Sequence, residues 1–564
     1  MRTDRDQPGA AGAAAAAGAA AAAGATLTTL AAGQFLMTLD SSVMNVSIAT
    51  VADDVGTDVT GIQTAITLYT LVMAVLMITG GKVGQIVGRK RAFAVGCVIY
   101  GTGSMTTALA PNLAVLMVGW SLLEGIGAAL ILPAIVGLVA SNFARGERPR
   151  AYGLVASAGA IAVAAGPLIG GLFTTYASWR WVFAGETLVV LGILVMTRRM
   201  AGEPPQHTRL DLVGTALSAL GLGLVVYGIL RGGSWGFVAP KPGAPEWLGL
   251  SPVTWMVLGG AAVLVVFVRW EDHVVARGRT PLVDFGRISN PILRAGLTSF
   301  FFQYLAQAGL FFAVPLFLSV ALGLSAIATG VRLLPLSVTL LLAAVGVPRF
   351  FPHASPRRVA QLGFAALFAG IVVLVAGLEA GAGPEIVTWP MLLAGLGIGA
   401  LASQLGAVTV SSVPDELSGE VGGLQNTLTN LGASIGTALA GAVLISALSS
   451  SVFSGLAANP DVPDSVTAAA EVELSSGVPF ISDDDLEDGL AAAGVPPDTA
   501  EAIVDENAAA RLAALRASLS VLALVTAVAI VAARRLPGRS ALDGAHGEAG
   551  DEAVEQQAEH ERDR

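Results

Sequence analysis

Residues 113–140 read LAVLMVGWSLLEGIGAALILPAIVGLVA, twenty-eight consecutive positions with one charged side chain, Glu124. At about 1.5 Å per residue a helix of this length crosses a hydrocarbon core of about 30 Å with residues to spare. Lipid offers no partner to a free backbone amide, so a stretch of this kind has to be helical. A carboxylate inside it is costly unless protonated, paired or set beside water, which makes Glu124 a functional candidate by default.

The pattern recurs along the chain. Helix-length apolar stretches fall at 26–50, 61–81, 92–110, 113–140, 151–176, 182–197, 211–230, 252–268, 295–320, 326–347, 359–378, 389–412, 422–448 and 514–533. They predict fourteen spans and an all-α polytopic membrane protein. Composition agrees: 54% of the 564 residues are hydrophobic and 13% are charged, against about 25% charged in an ordinary soluble protein. Mean hydropathy is +0.71.

Several function classes drop out at once. The single cysteine, Cys97, allows neither an internal disulfide nor a CxxC metal site, and the five histidines are not spaced as metal pairs. No GxxxxGK[ST] loop occurs, so ATP is not the expected driver, and a net charge of −10 gives no reason to expect nucleic-acid binding. No Ser/His/Asp or metal group is assembled, so the chain does not read as an enzyme and no bound cofactor or metal is expected.

Basic residues set the orientation. With the N-terminus in the cytoplasm and alternating spans, 25 of the 31 Lys and Arg residues fall on the cytoplasmic side, as the positive-inside rule requires. Both termini are then cytoplasmic, in a multi-pass protein of the cytoplasmic (inner) membrane. The expected organisation is an Ala/Gly-rich disordered tail (1–25), a six-helix bundle (26–200), two additional helices with a cytoplasmic linker (201–294), a second six-helix bundle (295–533) and a disordered tail (534–564). Segment 449–510 carries thirteen acidic residues and no basic one; it falls outside and reads either as a solvated acidic loop or as a small helical hairpin.

An internal repeat supports two halves. Gly153-Leu154, Ala162, Gly166 and Gly171 reappear as Gly423-Leu424, Gly432, Gly436 and Gly441 at an offset of 270 residues, each set preceded by Gly-Glu (Gly146-Glu147, Gly419-Glu420). The offset carries the first six spans onto the last six in the same orientation. Such a repeat relates two bundles by an axis along the membrane normal.

The motifs resemble those of the major facilitator superfamily, and more narrowly its fourteen-helix drug:proton antiporters, the group of quaternary-ammonium and multidrug exporters. Gly81-Lys82-Val83-Gly84-Gln85-Ile86-Val87-Gly88-Arg89-Lys90-Arg91 resembles the family's cytoplasmic gating motif GxLaDrxGrk, with Gln85 in the acidic position. Ala162-x-x-x-Gly166-Pro167-Leu168-Ile169-Gly170-Gly171 resembles the antiporter motif GxxxGPxxGG. Leu39-Asp40-Ser41-Ser42-Val43-Met44-Asn45-Val46 and Trp179-Arg180-Trp181-Val182-Phe183 resemble the group's first-helix and WRWxF motifs, with Glu186 where Asn is usual. In the fourth span, Ser121 and Glu124 replace the Arg and Gln of RxxQGxGaA. The resemblance implies alternating access driven by the proton gradient, with antibiotic resistance as its consequence. Its partners are the lipid bilayer, protons and a small-molecule substrate, and the chain is expected to act as a monomer.

Counting from the span ends puts Asp40 and Glu124 at nearly the same depth, about 15 Å from the outer end, and the family fold implies that the first and fourth helices both line the central cavity. The two carboxylates are therefore expected to pair or share a water-lined site and to couple transport to protons. A small amphipathic substrate would be cationic if it competes with the proton for their charge. Candidate substrate contacts are Gln63, Tyr69, Phe301, Gln303, Tyr304, Gln307, Gln425, Asn426 and Asn430, polar or aromatic groups in otherwise apolar spans. Interhelical hydrogen bonding is the competing explanation for each. An exporter of one specific biosynthetic metabolite, or a non-transporting sensor, would use the same fold.

Overall fold

A computed structural model describes residues 10–538 except 58, 145, 201, 203, 206–207, 242, 289, 380, 415–416, 460–461, 464–479 and 481. Among the described residues there are helices and connections but no strand beyond one isolated bridge between Trp247 and Leu250. The long helices are α1 (Ala10–Asp54), α2 (Val59–Val87), α3 (Arg89–Ala108), α4 (Leu113–Asn142), α5 (Arg148–Tyr176), α6 (Arg180–Thr197), α7 (Leu212–Trp235) and α8 (Pro252–Ala276). They continue with α9 (Pro291–Ala321), α10 (Ala326–Phe350), α11 (Pro356–Gly377), α12 (Thr388–Ser411), α13 (Ser418–Ala458) and α14 (Pro497–Ala532).

Among the described residues, twelve helices are long and apolar enough to cross a membrane, against the fourteen spans expected. Two long helices are not among the twelve: the side chains of α1 are described only in part, and α3 starts on Arg89-Lys90-Arg91 and ends in a Gly/Thr/Ser-rich stretch.

Two further expectations change. The 1–25 segment is helical from Ala10 onward, because alanine has the highest intrinsic helix propensity and the run feeds straight into an apolar helix. The acidic connection, read as a loop or a small helical hairpin, is helical over most of its described residues: α13 extends to Ala458, a ten-residue helix covers Asp483–Ala492, and α14 begins at Pro497. Buried Arg511 of α14 pairs with Asp483 and ties the short helix down. The terminal tail from 539 lies outside the described residues.

Helix pairing repeats along the chain. In the first half α1 packs on α5, α2 on α4, and α3 on both α4 and α6; in the second, α9 packs on α13, α10 on α12, and α11 on both α12 and α14. The halves meet crosswise, α2 against α13 and α10 against α5. The α7–α8 hairpin leans on α2 and α13 at one of these junctions. The close approaches fall at the repeated small residues. A Cβ on Gly166 would stand 2.2 Å from Ser42 Oγ of α1, and one on Gly436 2.1 Å from the Leu305 carbonyl oxygen of α9. Without these glycines the helices could not pack at that distance.

Candidate functional site

Between the halves lies a cavity of about 250 Å³. One wall comes from α1, α4 and α5, the other from α9, α10, α12 and α13. Gln303, Tyr304, Gln307, Gln425, Asn426 and Asn430 line it, as expected of substrate contacts. Gln34, Thr38, Tyr152 and Thr429 join them and were not anticipated. The signal for Gln34 and Thr38 was available, since both are polar groups four residues apart on one face of an apolar helix. No lining residue is charged. Six are carboxamides, and buried Gln303 and Gln307 each keep a side-chain oxygen without a partner.

Two candidates fall elsewhere. Tyr69 stacks on Trp120 (centroids 5.1 Å apart, planes at 7°) inside the first bundle. Phe301 packs into the apolar core of the second half, its backbone against Gly432. The side chain of Gln63 lies outside the described residues. Counting depth along a helix does not tell which face the side chain takes, and tertiary packing decides that.

Asp40 and Glu124 come together as the depth argument required, but not in the cavity. With Glu186 of α6 they form a triad in which one oxygen from each carboxyl lies within 4.8 Å of the others. All three are buried, at 0%, 0% and 2% exposure, which separates them from any aqueous opening in this conformation. None lines the cavity, so the expectation of a shared water-lined central site is corrected: the triad is enclosed within the first bundle, among α1, α3, α4 and α6. Glu186 was noted only as a departure from Asn. Two ionised carboxylates 4.8 Å apart would repel by about 3 kcal/mol at an effective dielectric of about 20, and no salt bridge reaches any of the three among the described residues.

Local structure builds the triad. Met117–Glu124 of α4 is π-helical, a wider turn common at functional sites, and it brings Trp120 and Glu124 inward. Close approach of Gly103 and Gly119 lets α3 touch this turn: a Cβ on Gly103 would stand 2.7 Å from both Glu124 Cγ and the Gly119 carbonyl oxygen. The Trp120 indole N–H donates to Asp40 Oδ1 (2.8 Å). The Thr107 hydroxyl lies 3.1 Å from Glu124 Oε1 and 2.9 Å from the Gly103 carbonyl oxygen. The Ser104 hydroxyl lies 3.0 Å from Glu186 Oε2 and 3.0 Å from the Phe183 carbonyl oxygen, and Tyr100 Oη is 3.5 Å from Glu186 Oε2. Each carboxyl keeps one oxygen without a partner: Asp40 Oδ2, Glu124 Oε2 and Glu186 Oε1. Ser121, in the position of the family's arginine, donates to the Ala65 carbonyl oxygen (2.8 Å), fastening α4 to α2.

At the basic end the gating motif closes the cavity by bringing α2 against the start of α13. Gly81 meets the Gly419 backbone, where an added Cβ would be 2.6 Å from the carbonyl oxygen, and Gln85 packs on Gly419. Lys82 donates to Glu420 Oε1 (2.7 Å), a pair buried on both sides that joins the two halves. The negative charge absent at Gln85 is matched across the interface by Glu420, whose partner Lys82 sits one turn before Gln85. The backbone N–H of Asp284, in the linker after α8, reaches Glu420 Oε2 (3.4 Å). Gly88 turns the chain at φ +94°, a conformation that favours glycine; Gly84 faces Ala92 across that turn. Arg89 donates to the Gly137 carbonyl oxygen (3.2 Å), and Lys90 to that of Met200 (2.6 Å). In the antiporter motif, Gly166 and Gly170 pack on α1 at Ser42 and Val43, and Gly171 faces Ile327 of α10. The helix runs unbroken through position 167, and the Pro167 side chain lies outside the described residues.

Two crosswise-packed halves with a repeated helix pairing and a cavity between them define an alternating-access type of carrier. The chain belongs to the Major Facilitator Superfamily, whose sequence profile matches residues 30–437. It is 28% identical over 460 residues to a probable actinorhodin transporter of Streptomyces coelicolor, covering 79% of this chain and 76% of that one. To a puromycin resistance protein of Streptomyces alboniger it is 30% identical over 425 residues, covering 73% and 80%. The crystal structure of a human organic anion transporter shares the fold, with a TM-score of 0.57 at 12% identity, covering 91% of this chain and 99% of that one.

Proposed function

We propose that the protein exports an amphipathic organic compound across the cytoplasmic membrane in exchange for protons, as a member of the fourteen-helix drug:proton antiporter group, with its basic end and both termini in the cytoplasm. The carrying observation is the enclosed triad of Asp40, Glu124 and Glu186, two of whose helices, α1 and α4, also form part of the wall of an uncharged cavity. Buried carboxyls without a basic partner favour binding protons, and a change of access would release them. The placement of 25 of 31 basic residues supports the orientation.

An uncharged wall alters the expected substrate. Nothing in the cavity would neutralise a cation, whereas six carboxamides offer paired donors and acceptors. The substrate class is therefore a largely uncharged, ring-bearing compound with hydroxyl, carbonyl or amide groups. Coupling then acts through helix packing rather than by direct competition for charge. A single biosynthetic metabolite is the second reading, favoured by the likeness to a probable actinorhodin transporter.

The test uses purified protein in proteoliposomes with an imposed pH gradient, and a resistance profile in cells lacking their own pumps supplies the substrates. Accumulation should follow the gradient and collapse with a protonophore. Full gradient-driven transport by a D40N/E124Q double variant would overturn the coupling. Resistance to one compound alone would favour the second reading.

A further inference from the structure

We infer that the enclosed triad is a two-proton site: Glu124 and Glu186 each hold a proton in this conformation, and Asp40 is the carboxylate. The inference deepens the proton coupling proposed above but stands on separate geometry, the two oxygen neighbours of each of two buried hydroxyls.

A hydroxyl has one hydrogen to give. The Thr107 hydroxyl sits between the Gly103 carbonyl oxygen at 2.9 Å and Glu124 Oε1 at 3.1 Å. Both would be acceptors if Glu124 were ionised, so one of the two contacts would bring oxygen lone pairs together. With Glu124 protonated, the acid donates to Thr107 and Thr107 donates to Gly103. The Ser104 hydroxyl repeats the arrangement between the Phe183 carbonyl oxygen and Glu186 Oε2, each at 3.0 Å. A protonated Glu186 donates to Ser104, and the same oxygen still accepts from Tyr100.

Asp40 differs. Its Oδ1 takes a hydrogen bond from the Trp120 indole, which donates and cannot accept, and the Tyr69 and Tyr100 hydroxyls that also face Asp40 can donate to it. The anionic form therefore belongs on Asp40, and the two acids on Glu124 and Glu186. The titratable groups facing the site are Asp40 on α1, Tyr69 on α2, Tyr100 on α3, Glu124 on α4 and Glu186 on α6; all are buried, and no lysine or arginine pairs with the three carboxyls among the described residues.

Release on opening gives two protons, one from each glutamic acid, with no other bond changed. The wild-type carrier then exchanges two protons per substrate, and E186Q exchanges one. The glutamine amide can still donate to Ser104, so the packing of the closed form is preserved in this variant.

Infrared spectroscopy of the full chain in lipid nanodiscs at neutral pH tests the site. Two buried carboxylic-acid carbonyl bands are expected, one lost in E124Q, the other in E186Q, and neither in D40N. Fewer than two bands, a band lost in D40N, or bands that vanish when sodium or calcium is added at constant pH would overturn the inference. The proton-to-substrate ratio, measured by balancing a pH gradient against a membrane potential, should fall from two to one in E186Q; an unchanged ratio would also overturn it. Two bands in a protein that shows no gradient-driven transport would keep the two-proton site and remove the coupling.

Discussion

Thr38 and Asp40 stand two residues apart on α1 and serve opposite sides of it: Thr38 lines the cavity between the halves, and Asp40 is sealed in the carboxyl triad. Two residues rotate an α-helix by about 200°, so one helix carries both the substrate wall and the proton site. Its packing on α5, where Ser42 donates to the Val163 carbonyl oxygen (3.2 Å), passes a movement of one face to the other.

The D40N variant should therefore separate binding from coupling. Asparagine keeps the oxygen that accepts from Trp120 and leaves the Gln34–Thr38 face untouched. Substrate binding to the solubilised protein should be unchanged and gradient-driven accumulation should fall, because the two acids exchange their protons beside a neutral amide instead of the Asp40 carboxylate, while counterflow of labelled substrate persists. Loss of binding together with accumulation would show that Asp40 shapes the cavity itself.

The Lys82–Glu420 pair should act as the latch at the basic end. Removing one partner of a buried ion pair leaves the other charge uncompensated, at about 3–5 kcal/mol, whereas replacing both by apolar groups is often neutral. Lys82→Met alone should open that end, and Lys82→Met with Glu420→Leu should restore closure. In a Cys97→Ala background, a reporter cysteine at Asn426 in the cavity should label faster from the basic side in the single variant only. Equal labelling in all three would remove the latch.

The apolar stretches could be read directly, because lipid forces helices on any run of that length. Asp40 and Glu124 could be paired by counting residues, because depth is a one-dimensional quantity. What depth does not supply is the helix face. The π-helical turn at Met117–Glu124 changes the register of α4 at the residues that matter, and no pattern in LAVLMVGWSLLE announces it. Hence Tyr69, Asp40 and Glu124, expected on the cavity wall, lie behind it. Glu186 shows the opposite lapse: six residues into α6, its depth could have been counted like the others. The Lys82–Glu420 pair spans 338 residues, a separation over which only the fold brings the two together.

Gln303 and Gln307 should set affinity rather than stability. Each lines the cavity with an unpartnered oxygen, so replacing either by leucine strands no protein donor. A lost neutral hydrogen bond weakens binding by about fivefold to tenfold. Substrates bearing a hydroxyl or amide should lose that much, while apolar analogues should bind as well or better. Equilibrium binding to the two variants decides it; equal losses for polar and apolar ligands would point to collapse of the cavity instead.

The repeat makes a prediction about four glycines at once. A Cβ on Gly436 would stand 2.1 Å from the Leu305 carbonyl oxygen, and one on Gly166 2.2 Å from Ser42 Oγ and 2.3 Å from Ser42 Cβ. Neither the Leu305 carbonyl nor the Ser42 Cβ can swing aside by side-chain rotation, so α13 or α5 must retreat from its partner, and overpacking of this kind costs about 1–3 kcal/mol or more. Five residues further along each helix, at Gly171 and Gly441, the nearest atoms would be Ile327 Cγ1 at 3.5 Å and Phe312 Cζ at 3.6 Å, ordinary contact distances. There alanine gains about 1 kcal/mol of helix propensity over glycine. Thermal unfolding in detergent should therefore fall for Gly166→Ala and Gly436→Ala, and hold or rise for Gly171→Ala and Gly441→Ala. Transport should be lost with the first pair, because the α1–α5 and α9–α13 contacts hold each half rigid while the two rock against each other. If Gly166→Ala proved neutral while Gly436→Ala did not, the two halves would not share this packing device, and the 270-residue offset would be a coincidence of composition.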